Sequence, residues 1–118
     1  MLTLYGISTC DSCRKARKSL DTRGVPYTFV NLKEQTPPAD LLQGLFDAGA
    51  IRPEKCLNTA GARYRELDLK TRRATMTPAD YAALFAAEGM VLKRPFVTDG
   101  TRATAGFKAD AFDAAWPG

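Results

Sequence analysis

The stretch that decides the fold is MLTLYGISTCDSCRKARKSLDTRGVPYTFV, residues 1–30. Within it, residues 2–5 alternate apolar and semi-polar side chains and end at Gly6, a pattern typical of a short strand. Residues 27–30 form a second run of the same kind. A helical pattern lies between the two runs, and strand, helix and strand within this stretch predict a right-handed parallel unit.

The predicted helix begins after Thr9, whose hydroxyl can cap its first turn. It ends at Arg23-Gly24, because glycine suits a helix C-terminus and Pro26 cannot continue the helix. Helical spacing places Cys10, Cys13, Ala16 and Leu20 along one side, and Arg14, Lys15, Arg17 and Lys18 largely on the others. The pattern therefore predicts an amphipathic helix with both cysteines near its start.

The middle of the chain, about residues 35–88, is predicted to be a helical insertion. Thr36-Pro37 indicates a helix start, followed by an apolar stripe at Leu41, Leu42, Leu45 and Phe46. A second start, residues 77–80, has the spacing of a capping box and precedes a buried side at Tyr81, Leu84 and Phe85. Between them, residues 63–73 are basic and are predicted to be irregular.

The last part of the chain predicts a hairpin and a closing helix. The pattern indicates a strand over residues 91–92 and 95–98 that is entered through a proline. A tight turn is indicated at Asp99-Gly100, and the chain is predicted to return antiparallel over residues 101–105. Residues 108–116 predict a helix whose inward side chains are Ala111, Phe112, Ala115 and Trp116. We therefore predict one α/β domain, residues 1–118, with the order βαβ, helical insertion, ββα.

Composition excludes several kinds of chemistry. The 118 residues contain no histidine, which removes Ser-His-Asp and Cys-His catalysis and His-ligated zinc or haem. No run of apolar residues is long enough to span a bilayer, and the N-terminus has no secretory pattern. Three cysteines without such a pattern indicate a reducing, cytoplasmic location. The net charge of +4 admits an anionic partner without requiring one.

The motif Cys10-Asp11-Ser12-Cys13 carries the strongest chemical signal. At i and i+3 on a helix the two sulfurs share a face and can form a reversible disulfide. Cys10 at the helix N-terminus, with Arg14 and Arg17 nearby, is expected to be a reactive thiolate that attacks, while Cys13 resolves.

Other interpretations of the cysteines stay open. The pair could be half of a zinc site, although no second pair or histidine completes four ligands, so we expect no metal. Cys13 could be a small core residue, with Cys10 acting alone. Cys56 has no motif around it and fits a buried structural thiol better than a third redox partner.

With CDSC after the first strand and KRP before the hairpin, the sequence resembles the arsenate reductase ArsC/Spx family. The resemblance extends over LTLYGISTCDSCRKARKSL, LNTAGARYREL and KRPFVTDGTRATAGF. It implies a thioredoxin-like fold, with Cys10 as the nucleophile and Arg94 beside it. It also implies that Pro95 takes the cis-proline position that approaches the cysteine. Together with Thr9, we expect Arg94 and Pro95 to stabilise the thiolate or bind substrate.

The sequence departs from arsenate reductases of that family at two places. Gly6 to Cys10 replaces the His-Asn-Pro-x-Cys approach to the nucleophile. Of three anion-binding arginines only Arg94 is retained, with Asn58 and Ala105 at the other positions and Arg63 or Arg102 nearby as replacements. Because bidentate charge-assisted bonds supply most oxyanion recognition, we expect weak binding of arsenate.

The resemblance leaves two functions open. One is a thiol-disulfide oxidoreductase or glutathione-dependent reductase with no bound cofactor and glutathione as a co-substrate; LNTAGARYREL is similar to reductase-like proteins of Gram-negative bacteria proposed to use glutathione. The alternative is a redox-sensing regulator like Spx, which binds RNA polymerase rather than DNA; CDSC and the basic helix face favour it. We favour the enzyme.

Overall fold

A computed structural model describes residues 1–117. Its strands are β1 (Leu2–Gly6), β2 (Tyr27–Asn31), β3 (Phe96–Thr98) and β4 (Ala103–Ala105). Its helices are α1 (Asp11–Thr22), α2 (Ala39–Asp47), α3 (Ala62–Glu66), α4 (Leu69–Arg72), α5 (Pro78–Ala87) and α6 (Ala109–Ala115). The predicted order of βαβ, helices and ββα is confirmed.

The four strands form one mixed sheet in the order β2-β1-β3-β4. β1 runs parallel to β2, as the intervening helix α1 requires, and β3 is antiparallel to both β1 and β4. Tyr5 pairs with Phe96, which in turn pairs with Ala105. The C-terminal end of β1 therefore lies beside the segment that leads into β3, and the end of β4 lies on the other side of that segment.

Alternation along the strands divides the core between the two faces of the sheet. Leu4 and Val97 point towards α1 and α6, where they pack with Leu2, Ala16, Leu20, Phe112 and Trp116. Tyr5 and Phe96 point to the other face, where the helices between β2 and β3 cover them. There α2 packs on α5, with the rings of Phe46 and Phe85 edge to face at 6.2 Å.

Four local predictions are wrong. Residues 91–92 are not part of a strand: Val91 ends a 3-10 turn, and Leu92 forms only an isolated bridge with Leu57. The helix expected from Thr36 begins at Ala39, because the Thr36 hydroxyl donates instead to the carbonyl of Ala86 at 2.6 Å. Residues 63–73 are not irregular but form α3, α4 and a 3-10 turn, anchored by buried Tyr64 and Leu69. Ala111 faces outward rather than inward.

One helix start and one helix end follow their local chemistry as predicted. Thr77 and Asp80 form a complete capping box at the start of α5. Arg23 is the C-cap of α1 and is followed by Gly24 at φ +69°, a left-handed conformation that favours glycine. Among residues 1–117, no helix combines the length and the apolarity that crossing a membrane needs.

Candidate active site

Cys10 is the N-cap of α1. Its backbone is extended, at φ −81° and ψ 122°, and its Sγ accepts a hydrogen bond from the Cys13 N–H at 3.3 Å. The prediction that Thr9 caps the helix is wrong: Thr9 is exposed and lies one residue too early. An N-cap side chain reaches the third residue of the helix, and here that residue is Cys13. The cap and the expected nucleophile are thus the same sulfur.

Cys13 is fully buried on the inner side of α1, against the end of β1. A Cβ added at Gly6 would lie 2.7 Å from the Cys13 Sγ, closer than side-chain atoms pack. The Ile7 N–H also donates to the Cys13 sulfur. Gly6 therefore leaves the space in which Cys13 sits under Cys10. The sequence marked Gly6 only as the end of a strand, although its place just before CxxC was a usable signal.

The surroundings of Cys10 favour its thiolate. Partial burial alone would raise the pKa of Cys10, but hydrogen bonds from the Cys13 side chain, the Cys13 backbone N–H and the Arg94 guanidinium outweigh it. Together with the positive charge of Arg94, they lower the pKa below its ordinary value. Cys10 is half-exposed, so a substrate can reach the sulfur that these donors stabilise.

The pKa of the second cysteine is shifted in the opposite direction. Burial, followed by the hydrogen bond to Cys10, raises the pKa of Cys13 to about 12. A protonated Cys13 donates its S–H to the Cys10 thiolate, so each shift supports the other. One thiolate and one thiol at this spacing are what a nucleophile and a resolving cysteine require.

Arg94 and Pro95 lie at the site because β3 lies beside β1. The Arg94–Pro95 peptide bond is cis, and Pro95 is buried. Arg94 is half-buried; besides its bond to Cys10, its Nη1 donates to the Met90 Sδ at 3.6 Å. The structure thus brings Cys10, Cys13 and Arg94 together, with Pro95 buried next to Arg94 in the chain, and leaves the Thr9 side chain exposed.

Arg14 and Arg17 of α1 lie against other partners. Arg14 pairs with Asp11 at 3.5 Å, on the exposed side of the helix. Arg17 stacks over the Phe29 ring at 4.2 Å and donates to the Tyr27 hydroxyl at 3.2 Å. The interactions that lower the pKa of Cys10 come from Cys13 and Arg94.

Neither arginine suggested as a replacement anion ligand is available for that role. Arg63 binds both oxygens of Glu88, at 2.8 and 2.9 Å. Arg102 stacks on the Trp116 ring at 4.8 Å and donates to the carbonyl of Ala115. Asn58 donates its side-chain amide to the carbonyl of Met90, whose thioether contacts Arg94. Among the three positions compared with arsenate reductases, Arg94 alone supplies a guanidinium.

Cys56 lies apart from the pair, in the core beneath the inserted helices. Burial, and then the charge of Glu54, raises the pKa of Cys56 to about 12, and its S–H faces the carbonyl of Arg52. It behaves as a buried structural thiol. The part of the chain that the structure describes holds no cluster of three or more residues suited to bind a metal.

A cleft of about 630 Å³ opens beside the cysteine pair. Its lining includes Ser12, which stands between the cysteines in the chain, and Arg94, which donates to Cys10. Three lysines also line it: Lys55, Lys93 and Lys108. Lys93 belongs to the KRP stretch, whereas Lys55 and Lys108 carried no motif in the sequence. The three lysines come from three separate segments, so only the folded chain brings them together.

Gly6→Ala is expected to disturb the pair because the new methyl group overlaps the Cys13 sulfur. We expect a loss of about 1–3 kcal/mol in the free energy of unfolding, and slower alkylation of Cys10 at neutral pH. Gly44→Ala is the matched control, since Gly44 lies in α2 with no atom within 4 Å of the added Cβ. It should stabilise the protein by about 0.5–1 kcal/mol. Equal effects of the two substitutions in denaturant titrations would contradict the close approach.

Arg94→Gln is expected to raise the pKa of Cys10, because a charge and a hydrogen-bond donor to its thiolate are lost. A lowered pKa keeps the thiolate present at lower pH, so the variant's alkylation profile should move to higher pH. The rate should drop several-fold at mildly acidic pH and recover in alkali. Iodoacetamide kinetics across pH measure this, with Arg14→Gln as the control. An unchanged profile for Arg94→Gln would remove Arg94 from the site.

Fold and site together define a thioredoxin-like protein: a mixed sheet with a cysteine pair at the start of α1 and a cis-proline leading into β3. The chain belongs to the ArsC family, whose family model matches residues 5–115. The family resemblance and the thioredoxin-like fold expected from the sequence are confirmed.

The chain is similar to three kinds of protein in the comparisons with known sequences and structures. The chain is 38% identical to YusI, an uncharacterized protein of Bacillus subtilis, over 98% of both chains. It is similar to a possible arsenate reductase of Streptococcus mutans, with a TM-score of 0.87 and 30% identity, covering 96% of this chain and 98% of that one. It is 26% identical to the global transcriptional regulator Spx 1 of Oceanobacillus iheyensis, covering 93% of this chain and 82% of the regulator. The chain is thus similar both to an arsenate reductase-like protein and to an Spx regulator.

Proposed function

We propose that this protein is a thiol-disulfide oxidoreductase in which Cys10 attacks and Cys13 resolves. One observation carries the proposal: the Cys10 sulfur is accessible and accepts hydrogen bonds from Arg94 and from both the backbone and the thiol of Cys13. The accessible Cys10 sulfur suits attack on a substrate, and the second thiol beside it can resolve the mixed disulfide and release the product, as a reductase requires.

The reaction proceeds in two exchanges. The Cys10 thiolate attacks one sulfur of a substrate disulfide; a bond forms between them as the substrate S–S bond breaks, and the other substrate sulfur leaves and takes a proton. Cys13 then gives up its proton and attacks Cys10, which forms the Cys10–Cys13 disulfide and releases the second substrate thiol. Two electrons pass from the protein to the substrate.

A monothiol of the glutathione type is the proposed reductant. Two such thiols reduce the Cys10–Cys13 disulfide and become one disulfide themselves, which restores the starting state. The positive charge of the cleft beside Cys10 suits a thiol that carries carboxylates. This chemistry fits a reducing compartment, so we place the protein in the cytoplasm. With Arg94 as the one retained arginine, arsenate is a poor substrate.

The test is turnover of the neutral 2-hydroxyethyl disulfide by purified protein with glutathione. We expect the wild type to reduce it with a rate proportional to protein concentration, above the reaction of glutathione alone. No rate above that background, under conditions where Cys10 is alkylated normally, would sink the enzyme proposal.

A second candidate is a redox-sensing regulator that binds RNA polymerase. The similarity to proteins named global transcriptional regulator Spx, over nine-tenths of the chain, favours it. In that case the oxidised protein should bind RNA polymerase and the reduced protein should not, with no direct binding to DNA. Capture of polymerase only by the oxidised form, together with absent turnover, would replace the enzyme by the regulator.

A further inference from the structure

The cleft beside Cys10 is built for an anion. Its lining contains Lys55, Lys93, Arg94 and Lys108, and no aspartate or glutamate occurs among the lining residues within 1–117. None of the four cations forms an ion pair with a carboxylate of the described chain. Glu54, next to Lys55, pairs with Arg52 instead. Four unneutralised charges around one cleft attract an acidic ligand and repel a basic one.

One side of the cleft is the open edge of β4. β4 is the last strand of the sheet, and Ala103 to Ala105 line the cleft. Two hydrogen bonds show which residues of β4 bond to β3. The Gly106 N–H donates to the Pro95 carbonyl, and the Asp99 N–H donates to the Arg102 carbonyl. Because hydrogen-bonded and non-hydrogen-bonded pairs alternate along an antiparallel ladder, Ala103 and Ala105 direct their N–H and C=O groups away from β3. No further strand of the described residues takes up those groups.

The remaining lining provides room and apolar contact. Alanine side chains along β4 allow another backbone to approach closely. Phe107 follows the strand and packs edge to face on Phe112 at 5.1 Å. A small anion would use the charges alone, whereas an extended polypeptide would use the charges, the strand edge and the apolar surface together.

We propose that this cleft binds an extended acidic polypeptide segment, which pairs with the outer edge of β4 and presents its disulfide to Cys10. The inference rests on the proposed oxidoreductase function and names its substrate class. Ser12 lies between the two cysteines in the chain and Arg94 donates to Cys10, so these two lining residues mark where the reacting cysteine of that segment lies. Acidic residues on one side of that cysteine then face the three lysines.

Single-turnover kinetics of the reduced protein test this proposal. The substrates are eight-residue peptides with a central cysteine joined to 2-mercaptoethanol by a disulfide, with glutamates or lysines in the flanking positions. We expect the glutamate peptide to react about tenfold faster or more at low salt, and the difference to shrink as salt is added. Equal rates for the two peptides would overturn the proposal.

Matched triple variants locate the effect. Replacement of Lys55, Lys93 and Lys108 with glutamine should remove most of the preference for the acidic peptide. Replacement of Lys18, Lys33 and Lys70 with glutamine changes the net charge by the same amount outside the cleft. This variant should keep the preference for the acidic peptide. Equal losses in the two variants would assign the preference to net charge and overturn the site.

Two further substrates separate a polypeptide from a small anion. An acidic peptide N-methylated along its backbone keeps its charge but cannot pair with β4, and it should react several-fold more slowly. Glutathione disulfide, which is too short to run along the strand, should also react more slowly than the acidic peptide. If either substrate reacts as fast as the unmodified acidic peptide, strand pairing with β4 is overturned.

The neutral 2-hydroxyethyl disulfide separates this proposal from the function on which it rests. The wild type and the variant with Lys18, Lys33 and Lys70 replaced, which lie outside the cleft lining, should reduce it at the same rate. If neither reduces it, the oxidoreductase function fails. If both reduce it while acidic and basic peptides react equally, the polypeptide site alone fails.

Discussion

Cys10→Ser is expected to lower disulfide reduction by a factor on the order of a thousand or more, leaving the uncatalysed background. The hydrogen bonds around Cys10 act on an ionised sulfur, and a serine hydroxyl in the same place stays protonated near neutral pH. Turnover of 2-hydroxyethyl disulfide measures the loss. Circular dichroism should show an intact fold, since a serine oxygen can still cap α1.

Cys13→Ser separates the two roles and serves as the control. Cys10 keeps its backbone donor and Arg94, so the first exchange should still occur, but the mixed disulfide has no internal thiol to release it. We expect a stable adduct of Cys10 with one half of the substrate, visible by intact mass spectrometry. Full turnover of Cys13→Ser would show that an external thiol resolves the intermediate and that Cys13 serves the core. Comparable residual activity in both variants would contradict the assigned roles.

Trp116→Ala should destabilise the protein by about 3–5 kcal/mol. The indole is 2% exposed and fills the space between the sheet and α6, among Leu2, Leu20 and Phe112. Its Nε1–H donates to the Thr104 hydroxyl at 3.0 Å, so the same ring holds β4 to the helix that follows it. Urea titration followed by far-UV circular dichroism measures the change.

Trp116→Phe distinguishes packing from the hydrogen bond. The phenyl ring keeps much of the apolar contact but leaves the Thr104 hydroxyl without its donor. We expect a smaller loss, about 1–2 kcal/mol, from that bond and the reduced volume. A loss as large as that of the alanine variant would place the stabilisation in the N–H rather than in the ring.

Local patterns predicted the elements well where the deciding chemistry was close in sequence. The alternation before Gly6, the capping box at Thr77 and Asp80, and the Asp99-Gly100 turn each depend on neighbouring residues, and each appears as predicted. Thr36 shows the limit. Its hydroxyl bonds a carbonyl fifty residues away, and that contact shifts the start of α2.

The candidate site was predictable in part for the same reason. Cys10 and Cys13 form a local motif, so their shared face followed from helical spacing. Arg94 came from the family resemblance, and its contact with Cys10 depends on β3 lying beside β1. The prediction that Thr9 caps α1 was wrong because the capping group is the Cys10 sulfur, and cysteine is not among the usual N-cap residues. Of the cleft lysines, Lys93 lay in the KRP stretch, whereas Lys55 and Lys108 had no local signal.

The Cys10 cap links the secondary structure of this protein to its electron chemistry. The thiolate that accepts the Cys13 N–H exists only in the dithiol form, and a disulfide to Cys13 would remove its charge from the start of α1. Through the thermodynamic cycle of folding and reduction, the same interactions favour the folded dithiol. We therefore expect the reduced form to resist unfolding better than it would without the Cys10 cap.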